Sequence, residues 1–522
     1  MSNVEVLLQT DNEKDQIFID NELLLMRIAE IAEAKKGLPD QKPLPDLIDL
    51  EQTHNCFITK EYRPFAPIAY IYNKATQQPG PMIFGNTVTY SIPLYGYFIG
   101  DIFLDIQLSS ASSADAALPA NVPRDMIRYC NLPGARMINQ VDLLLNGQVS
   151  NSFTQTNMVH YLDHELQKEK RPSYLNMLGN ETRYQGEVQA YPGFTQVKRV
   201  DNYGIGAQTF KVTQDPLEIF YPFCFWFNTA SHQVLGNRIL DKIGFKVTLN
   251  TVDQLIEKQA IILSPGPPPN PNIYPNQYGA VASTNGPITY PTITSMDLYF
   301  KEIYVSREIY EIYVKTQEVE IISTWREDII PINTSSGTIQ LNVREWPLQR
   351  IYYSFSPDAT FNNLQKWNLG FAIEKVEIPE FMSAYNPAGP PVFRIETRLA
   401  HIWKQIQPIL KLTVKTIGAT YYDDFNSSFF NQYETEFNPH CYQSDTGTSM
   451  IIFDYKPNDK DCISGYSSTS NNTNFNLIYA TNYYSDGVTE VFSPTNTGNL
   501  RVSYRVLNVL LVDVKLLELR FN

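Results

Sequence analysis

Three groups of residues in this chain have the types and spacing that chemistry uses. The first is His160-Tyr-Leu-Asp-His164-Glu165. On a helix, histidines four positions apart lie on one face and could share a metal ion. A catalytic zinc needs a third protein ligand, however, and HExxH is absent, while His54, His232, His401 and His440 are scattered. The preferred reading is a polar, partly exposed helix face. The second group, His440-Cys441, has the residue types of a thiol nucleophile and its base. Neighbours on a strand point to opposite faces, so the two side chains would rarely meet. The third, Asp423-Asp424, sits among Tyr and Asn, where solvated turn residues are expected in preference to a paired acid and base.

No GxxxxGK[ST], no GxGxxG after a strand and no GxSxG occurs in the 522 residues, so nucleotide binding and hydrolase elbows lack their minimal signals. The expectation is a protein that is not an enzyme, with no catalytic residue, cofactor or metal. The formal charge of -14 has the wrong sign for wrapping phosphate backbones, so no direct nucleic acid binding is expected. No apolar run is long enough to cross a membrane as a helix, and the first residues lack the basic and apolar regions of a secretory signal, which points to synthesis and folding in the cytosol. Five scattered cysteines, Cys56, Cys130, Cys224, Cys441 and Cys462, suit reduced thiols. Sequons start at Asn180, Asn333, Asn426 and Asn471 and are read as unmodified.

The elements that must position these residues are mainly strands. Tyr (33), Phe (28) and Pro (34) are abundant, a mixture that favours strands bounded by rigid turns. Val88, Tyr90 and Ile92 alternate with polar residues, and Ile102, Leu104, Ile106 and Leu108 do the same. Such a period of two marks strands with one buried face. Leu132 to Gly147 (LPGARMINQVDLLLNG) reads as a tight Pro-Gly turn leading into a strand that ends at an Asn-Gly hairpin. Phe220 to Asn228 (FYPFCFWFN) reads as a buried or inter-subunit strand, and Ile243, Phe245, Val247 and Leu249 continue the alternation.

Helices are expected over Asp20 to Gly37, Asn157 to Lys170 and Glu396 to Ile406. On the first, Leu24, Ile28 and Ile31 fall on one stripe and could dock either on a partner or on the protein's own body. Long polar loops are expected at Asn180 to Gln214 and Asp423 to Thr448. The run SPGPPPNPNIYP from Ser264 to Pro275 reads as an extended connector. In the second half, strands are expected from Met296, at Val319 to Ser323, Thr338 to Val343, Arg350 to Phe355 and Met450 to Tyr455, and in the tail. There the apolar phase slips near Leu516, which predicts a β-bulge. The expected division is an arm (1–53), a first β-domain (54–256), a Pro-rich connector (257–295) and a second β-domain (296–522).

Motifs spread over nearly the whole chain resemble the double jelly-roll major capsid proteins of nucleocytoplasmic large DNA viruses, most closely the asfarvirus hexon. Glu51-Gln-Thr-His54, Tyr62-Arg-Pro-Phe-Ala-Pro67 and Ile92-Pro93-Leu-Tyr-Gly96 look like early parts of that family. Pro133, Gly134, Arg136, Asn146 and Gly147 match its most recognisable turn and strand, and Phe225, Trp226, Phe227 and Asn228 its late aromatic strand. Trp346 and Pro347, then Phe453 through Pro457, have counterparts in its second half. Ser464 and Gly465 keep only part of the family's Pro-Ser-Gly, and the Ser109 to Pro123 loop is shorter.

The resemblance implies an all-β chain of two consecutive eight-stranded jelly rolls that forms pseudo-hexagonal homotrimers, the capsomers of an icosahedral shell. It further implies contacts with neighbouring capsomers, with minor capsid and penton proteins, and with an inner membrane layer through the arm. Location in the virion follows, with assembly in the host cytoplasm. Read without the resemblance, the residues also fit a tandem β-sandwich carbohydrate-binding or adhesion protein, and a cupin-like metalloenzyme using His160 and His164.

Overall fold

A computed structural model describes residues 68–93, 95–114, 124–167, 169–180, 211–229, 234–236, 242–261, 287–307, 310–311, 318–341, 343, 347–362, 367, 370–384, 394–416, 419–436, 447–453, 475–513 and 516–519. The helix expected at 20–37 with Leu24, Ile28 and Ile31, the connector at 264–275, and Trp346, Pro457, Ser464 and Gly465 lie outside them, as do Cys56, Cys441, Cys462 and His440.

Sixteen of the described strands build two sandwiches. The first uses β1 (Ile68–Lys74), β2 (Thr87–Ile92), β3 (Phe98–Leu108), β4 (Ile138–Leu145), β5 (Gln148–Thr154), β6 (Leu217–Pro222), β7 (Ile243–Leu249) and β8 (Ile293–Val305). The second uses β9 (Glu318–Ile332), β10 (Ser336–Leu341), β11 (Leu348–Pro357), β12 (Ile409–Lys415), β13 (Thr420–Asn426), β14 (Ser449–Ile452), β15 (Phe475–Thr481) and β16 (Gly498–Asp513). The first sandwich faces a sheet ordered β1-β8-β3-β6 with one ordered β2-β7-β4-β5. In the second the orders are β9-β16-β11-β14 and β10-β15-β12-β13. Adding eight to every strand number converts one sandwich into the other, so the chain carries the same jelly roll twice. Apart from Ile68, Ala69 and Val305 at two strand ends, both belong to one compact unit, Tyr70–Tyr304 with Ile312–Asn522; the other unit is Met1–Ala69 with Val305–Glu311, in which Arg307 pairs with Glu311.

Alternation accounts for the strands that were foreseen. Val88, Tyr90 and Ile92 on β2, and Ile102, Leu104, Ile106 and Leu108 on β3, all face the core, as do Phe245 and Val247 on β7. Asn146 and Gly147 adopt φ of 52° and 84°, the left-handed pair that a two-residue hairpin needs between β4 and β5.

Five expectations are corrected. The aromatic run is not a continuous strand: β6 stops at Pro222 and Trp226–Thr229 forms a helical turn. A strand would turn alternate rings outward, whereas here Phe223, Phe225, Trp226 and Phe227 are all buried. Pro133-Gly134 opens a short helix, α1 (Pro133–Met137), before β4 begins. Arg394–Ile406 is a strand, paired along its length with Ala372–Ala384, because ladder bonding overrides the helical propensity of its residues. Met296–Tyr304 belongs to the first sandwich, since Met296 pairs with Ile106 and Leu298 with Leu104. The phase slip near Leu516 is a reversal of the chain, with Leu516–Leu519 running back along Leu510–Asp513.

Part of the second expected loop is ordered as well: β13 is followed by a helical stretch made of Phe429–Tyr433 and Glu434–Glu436. The helix expected from Asn157 is α2 (Gln155–His164). Thr154 caps it reciprocally: Asn157 donates its backbone N–H to the Thr154 hydroxyl, and Thr154 donates its own to Asn157 Oδ1 at 2.9 Å.

Candidate functional site

Helix α2 lies at the junction of the two sandwiches, and its polar face is buried there, contrary to the expected partly exposed one. Asn157 Nδ2 donates to Ser503 Oγ on β16 at 2.8 Å, and the same hydroxyl shares a 2.7 Å hydrogen bond with His160 Nδ1. Thr448, beside β14, donates to Asp163 Oδ2 at 3.1 Å, so His164 Nε2 must supply the proton of its 2.8 Å bond to the same hydroxyl. At the end of the helix, Glu165 Oε1 accepts from the Tyr352 hydroxyl at 2.9 Å and lies 3.4 Å from Arg505 Nε. Tyr352 stacks on the His164 ring, and the Arg505 guanidinium lies over Trp325 at 4.7 Å.

Electrostatics fixes both histidines as neutral rings. Burial, then the charges of Arg171 and Arg350, pushes His164 down to about 3. Burial, then His164 and Arg501, holds His160 well below the usual imidazole range. The i, i+4 spacing that suggested a shared metal instead sends each ring to a different hydroxyl of the second sandwich. Among the described residues no three His, Cys, Asp or Glu side chains are grouped to hold a metal ion. A cavity of about 20 Å³ beside His160, Ser354, Ser356 and Arg501 has room for about one water. The junction is packed as a joint.

Several motif residues feed this joint. Arg136 on α1 is buried, and its guanidinium lies over the Trp367 ring at 4.8 Å while Trp367 Nε1 donates to the Asn131 carbonyl at 3.0 Å. Pro133-Gly134 makes that placement possible. A Cβ on Gly134 would come within 2.8 Å of Ile219, a contact that only glycine avoids. Asn180, the first sequon asparagine, is buried and accepts the Leu132 N–H at 2.8 Å, so it is a structural brace.

Phe225, Trp226 and Phe227 fill the first core, and Asn228 Nδ2 donates to the Ile102 carbonyl at 2.8 Å. Pro347 accepts the Leu507 N–H, tying the start of β11 to β16. Asn146 and Gly147 form a solvent-facing turn away from the joint.

Sequence reasoning missed Ser503, Arg505, Tyr352, Trp325 and Thr448. The signal for Ser503 and Arg505 was the alternation Arg501, Ser503, Arg505 against Val502, Tyr504, Val506, which reads equally well as a strand with a wet face.

Two further surfaces carry exposed aromatics. The outer face of the β1-β8-β3-β6 sheet bears Tyr72, Tyr299, Phe103 and Phe220 in edge and stacked contacts, with Tyr72 49% exposed. Around β13, Tyr421, Phe425 and Tyr433 are exposed, the last to 51%.

No family model matches the chain. Over 99% of its length, and 99% of theirs, it is 21% identical to the hexon protein p72 of African swine fever virus (isolate Tick/Malawi/Lil 20-1/1983) and to the major capsid protein of isolate Pig/Kenya/KEN-50/1950. The Faustovirus major capsid protein superposes with a TM-score of 0.70 at 18% identity, covering 96% of this chain and 100% of that one. VP54 of PBCV-1 superposes with a TM-score of 0.58 at 15% identity, covering 89% and 100%. The fold is that of the double jelly-roll capsid proteins, and the resemblance read from the motifs runs from one end of the chain to the other. These relatives are structural proteins of virus shells, not enzymes.

Proposed function

We infer that this chain is the major capsid protein of a large DNA virus, a component of the virion that associates with itself to build the shell. The observation that carries this reading is the similarity to the hexon proteins through both sandwiches, over 99% of each chain. The joint described above supports it, because a brick built of two sandwiches must hold them as one rigid block.

Three copies with two like sandwiches each make a ring of six, a block of nearly hexagonal outline that tiles a closed shell. In this reading the chain is an arm (1–53) and two jelly rolls joined by a Pro-rich connector, the first roll drawing its last strand, β8, from beyond that connector. The motif residues are read as scaffold: Pro133, Gly134, Arg136, Asn146, Gly147, Phe225, Trp226, Phe227, Asn228 and Pro347 hold the block together. Trp346, Pro457, Ser464 and Gly465 are assigned the same duty from the motif alone.

The arm, through Leu24, Ile28 and Ile31, would contact minor capsid proteins or an inner membrane layer, and penton proteins would complete the vertices. Assembly would take place in the host cytoplasm, without cofactor and without direct nucleic acid binding. Mass photometry at micromolar concentration tests the reading. A single species of three 59.7 kDa chains supports it, and a folded monomer alone overturns it.

A further inference from the structure

The small cavity at the joint is lined by groups that have protons to give. It brings Thr156 and His160 of α2, from the first sandwich, together with Ser354 and Ser356 of β11 and Arg501 of β16, from the second. His160 is 1% exposed and its Nδ1 is taken up by Ser503. Nε2 is therefore the polar atom that the ring has to offer the cavity, and it has no partner among the described residues. Ser354 and Ser356 are 6% and 3% exposed, and the 3.5 Å contact between their hydroxyls is the one bond either hydroxyl makes among those residues. One of the two can donate to the other, which leaves at least one serine proton without an acceptor. Buried donors are rarely left in that state, because desolvation without a partner is costly.

The charge of the lining decides between a water and an anion as the missing acceptor. Arg501 brings a guanidinium. The N–H groups of Gln155 and Thr156, in the first turn of α2, have no carbonyl of their own helix to bond and lie at the positive end of its dipole. No carboxylate lines the cavity; Glu327 and Asp358 act on Arg501 from outside it. A water must give away two protons in return for the bonds it accepts, whereas an anion accepts on every side. A volume of about 20 Å³ is too small for sulfate, phosphate or a carboxylate and admits a single-atom ion.

We propose that this cavity is a chloride site, in which Arg501, His160 Nε2 and the hydroxyls of Ser354 and Ser356 hold one ion between the two sandwiches. The ion selects the ring tautomer. Nε2 carries the proton that points to it, and Nδ1 accepts from Ser503, whose oxygen in turn accepts from Asn157. Because the ion touches residues of both sandwiches and the cavity exists only in the folded chain, chloride is a ligand of the folded state and strengthens the joint by mass action. The site lies within one chain and stands whether or not three chains assemble.

The probe is sodium chloride exchanged for sodium gluconate at constant ionic strength, with the full-length protein at fixed concentration and urea unfolding as the readout. Above half-saturation, each tenfold increase in chloride should raise the folded-to-unfolded ratio by about tenfold per chain, and bromide should substitute for chloride. Ser356→Val fills the cavity and removes one donor, and should abolish the response. Val488→Ser, at a residue 79% exposed outside the joint, should keep it. In crystals soaked in sodium bromide, an anomalous difference peak is expected beside Arg501 and Ser356. Equal stability in chloride and gluconate overturns the proposal, and so does a chloride response that folded Ser356→Val retains in full. Density in the cavity without anomalous signal also overturns it, and makes the guest a water. Should Ser356→Val not fold, the parent's titration and the bromide peak still decide.

Discussion

Acidification is the perturbation that reads the joint most sharply, because His164 is enclosed in it as a neutral ring. An imidazole free in the unfolded chain takes up its proton near pH 6.5, whereas burial and the neighbouring Arg171 and Arg350 push His164 down to about 3 in the fold. Between these values the unfolded state binds a proton that the folded state refuses, so stability is complete above pH 6.5 and falls as pH drops toward 3. Each pH unit in that window costs about 1.4 kcal/mol, and at pH 4.5 His164 alone has removed about 2.7 kcal/mol. His160, lowered for the same principal reason and facing His164 and Arg501, adds a loss of the same sign.

The assay is urea unfolding followed by tryptophan fluorescence at fixed protein concentration from pH 7 to 4.5, since Trp325 and Trp367 lie in the joint. The His164→Gln variant should lose about 2.7 kcal/mol less than the parent over that range. Parallel pH profiles for the two proteins would refute the argument, because they would mean that His164 titrates in the fold as it does in water.

Glu165→Ala removes the acceptor of the Tyr352 hydroxyl and the partner of Arg505, both largely shielded from water, and should cost about 3 kcal/mol in urea unfolding, with Glu165→Gln intermediate. Two glycines separate backbone strain from crowding. Gly147→Ala has open space but a φ of 84°, so it should cost about 1 kcal/mol. Gly498→Ala would put a Cβ into the Phe492 ring and 2.6 Å from the Ser356 carbonyl, and should cost about 1–3 kcal/mol and lower the melting temperature further. Deleting residues 1–40 should leave trimers intact by mass photometry but impair attachment to the inner layers of the particle, and trimers that fall apart would assign the arm to the block itself.

The parts of the fold legible in the sequence were those decided locally. β2, β3 and β7 show their buried face by alternation, the Asn146-Gly147 hairpin follows from the dihedrals that these residues tolerate, and α2 was placed in the sequence although it ends at His164 and not at Lys170. Elements decided by distant contacts were not readable. Arg394–Ile406 is a strand only because Ala372–Ala384 lies beside it, and β8 joins the first sandwich although a proline-rich run separates it from its partners.

The joint was half visible. His160 and His164 stood out by their spacing, but a buried polar helix face and a wet one have the same sequence until Ser503 and Thr448 are placed opposite it. The repeated plan of the two halves was legible in the order of strands, helix and loops, and motif resemblance decided between a shell protein and a tandem sandwich of another kind.

One chain folds twice into the same sandwich, and in the proposed assembly three such chains form a six-lobed block. Electron microscopy of the purified full-length protein measures this directly. Class averages down the symmetry axis should show a hexagonal outline with six lobes of two alternating kinds. Three undivided lobes, or isolated two-lobed particles at micromolar concentration, would contradict it.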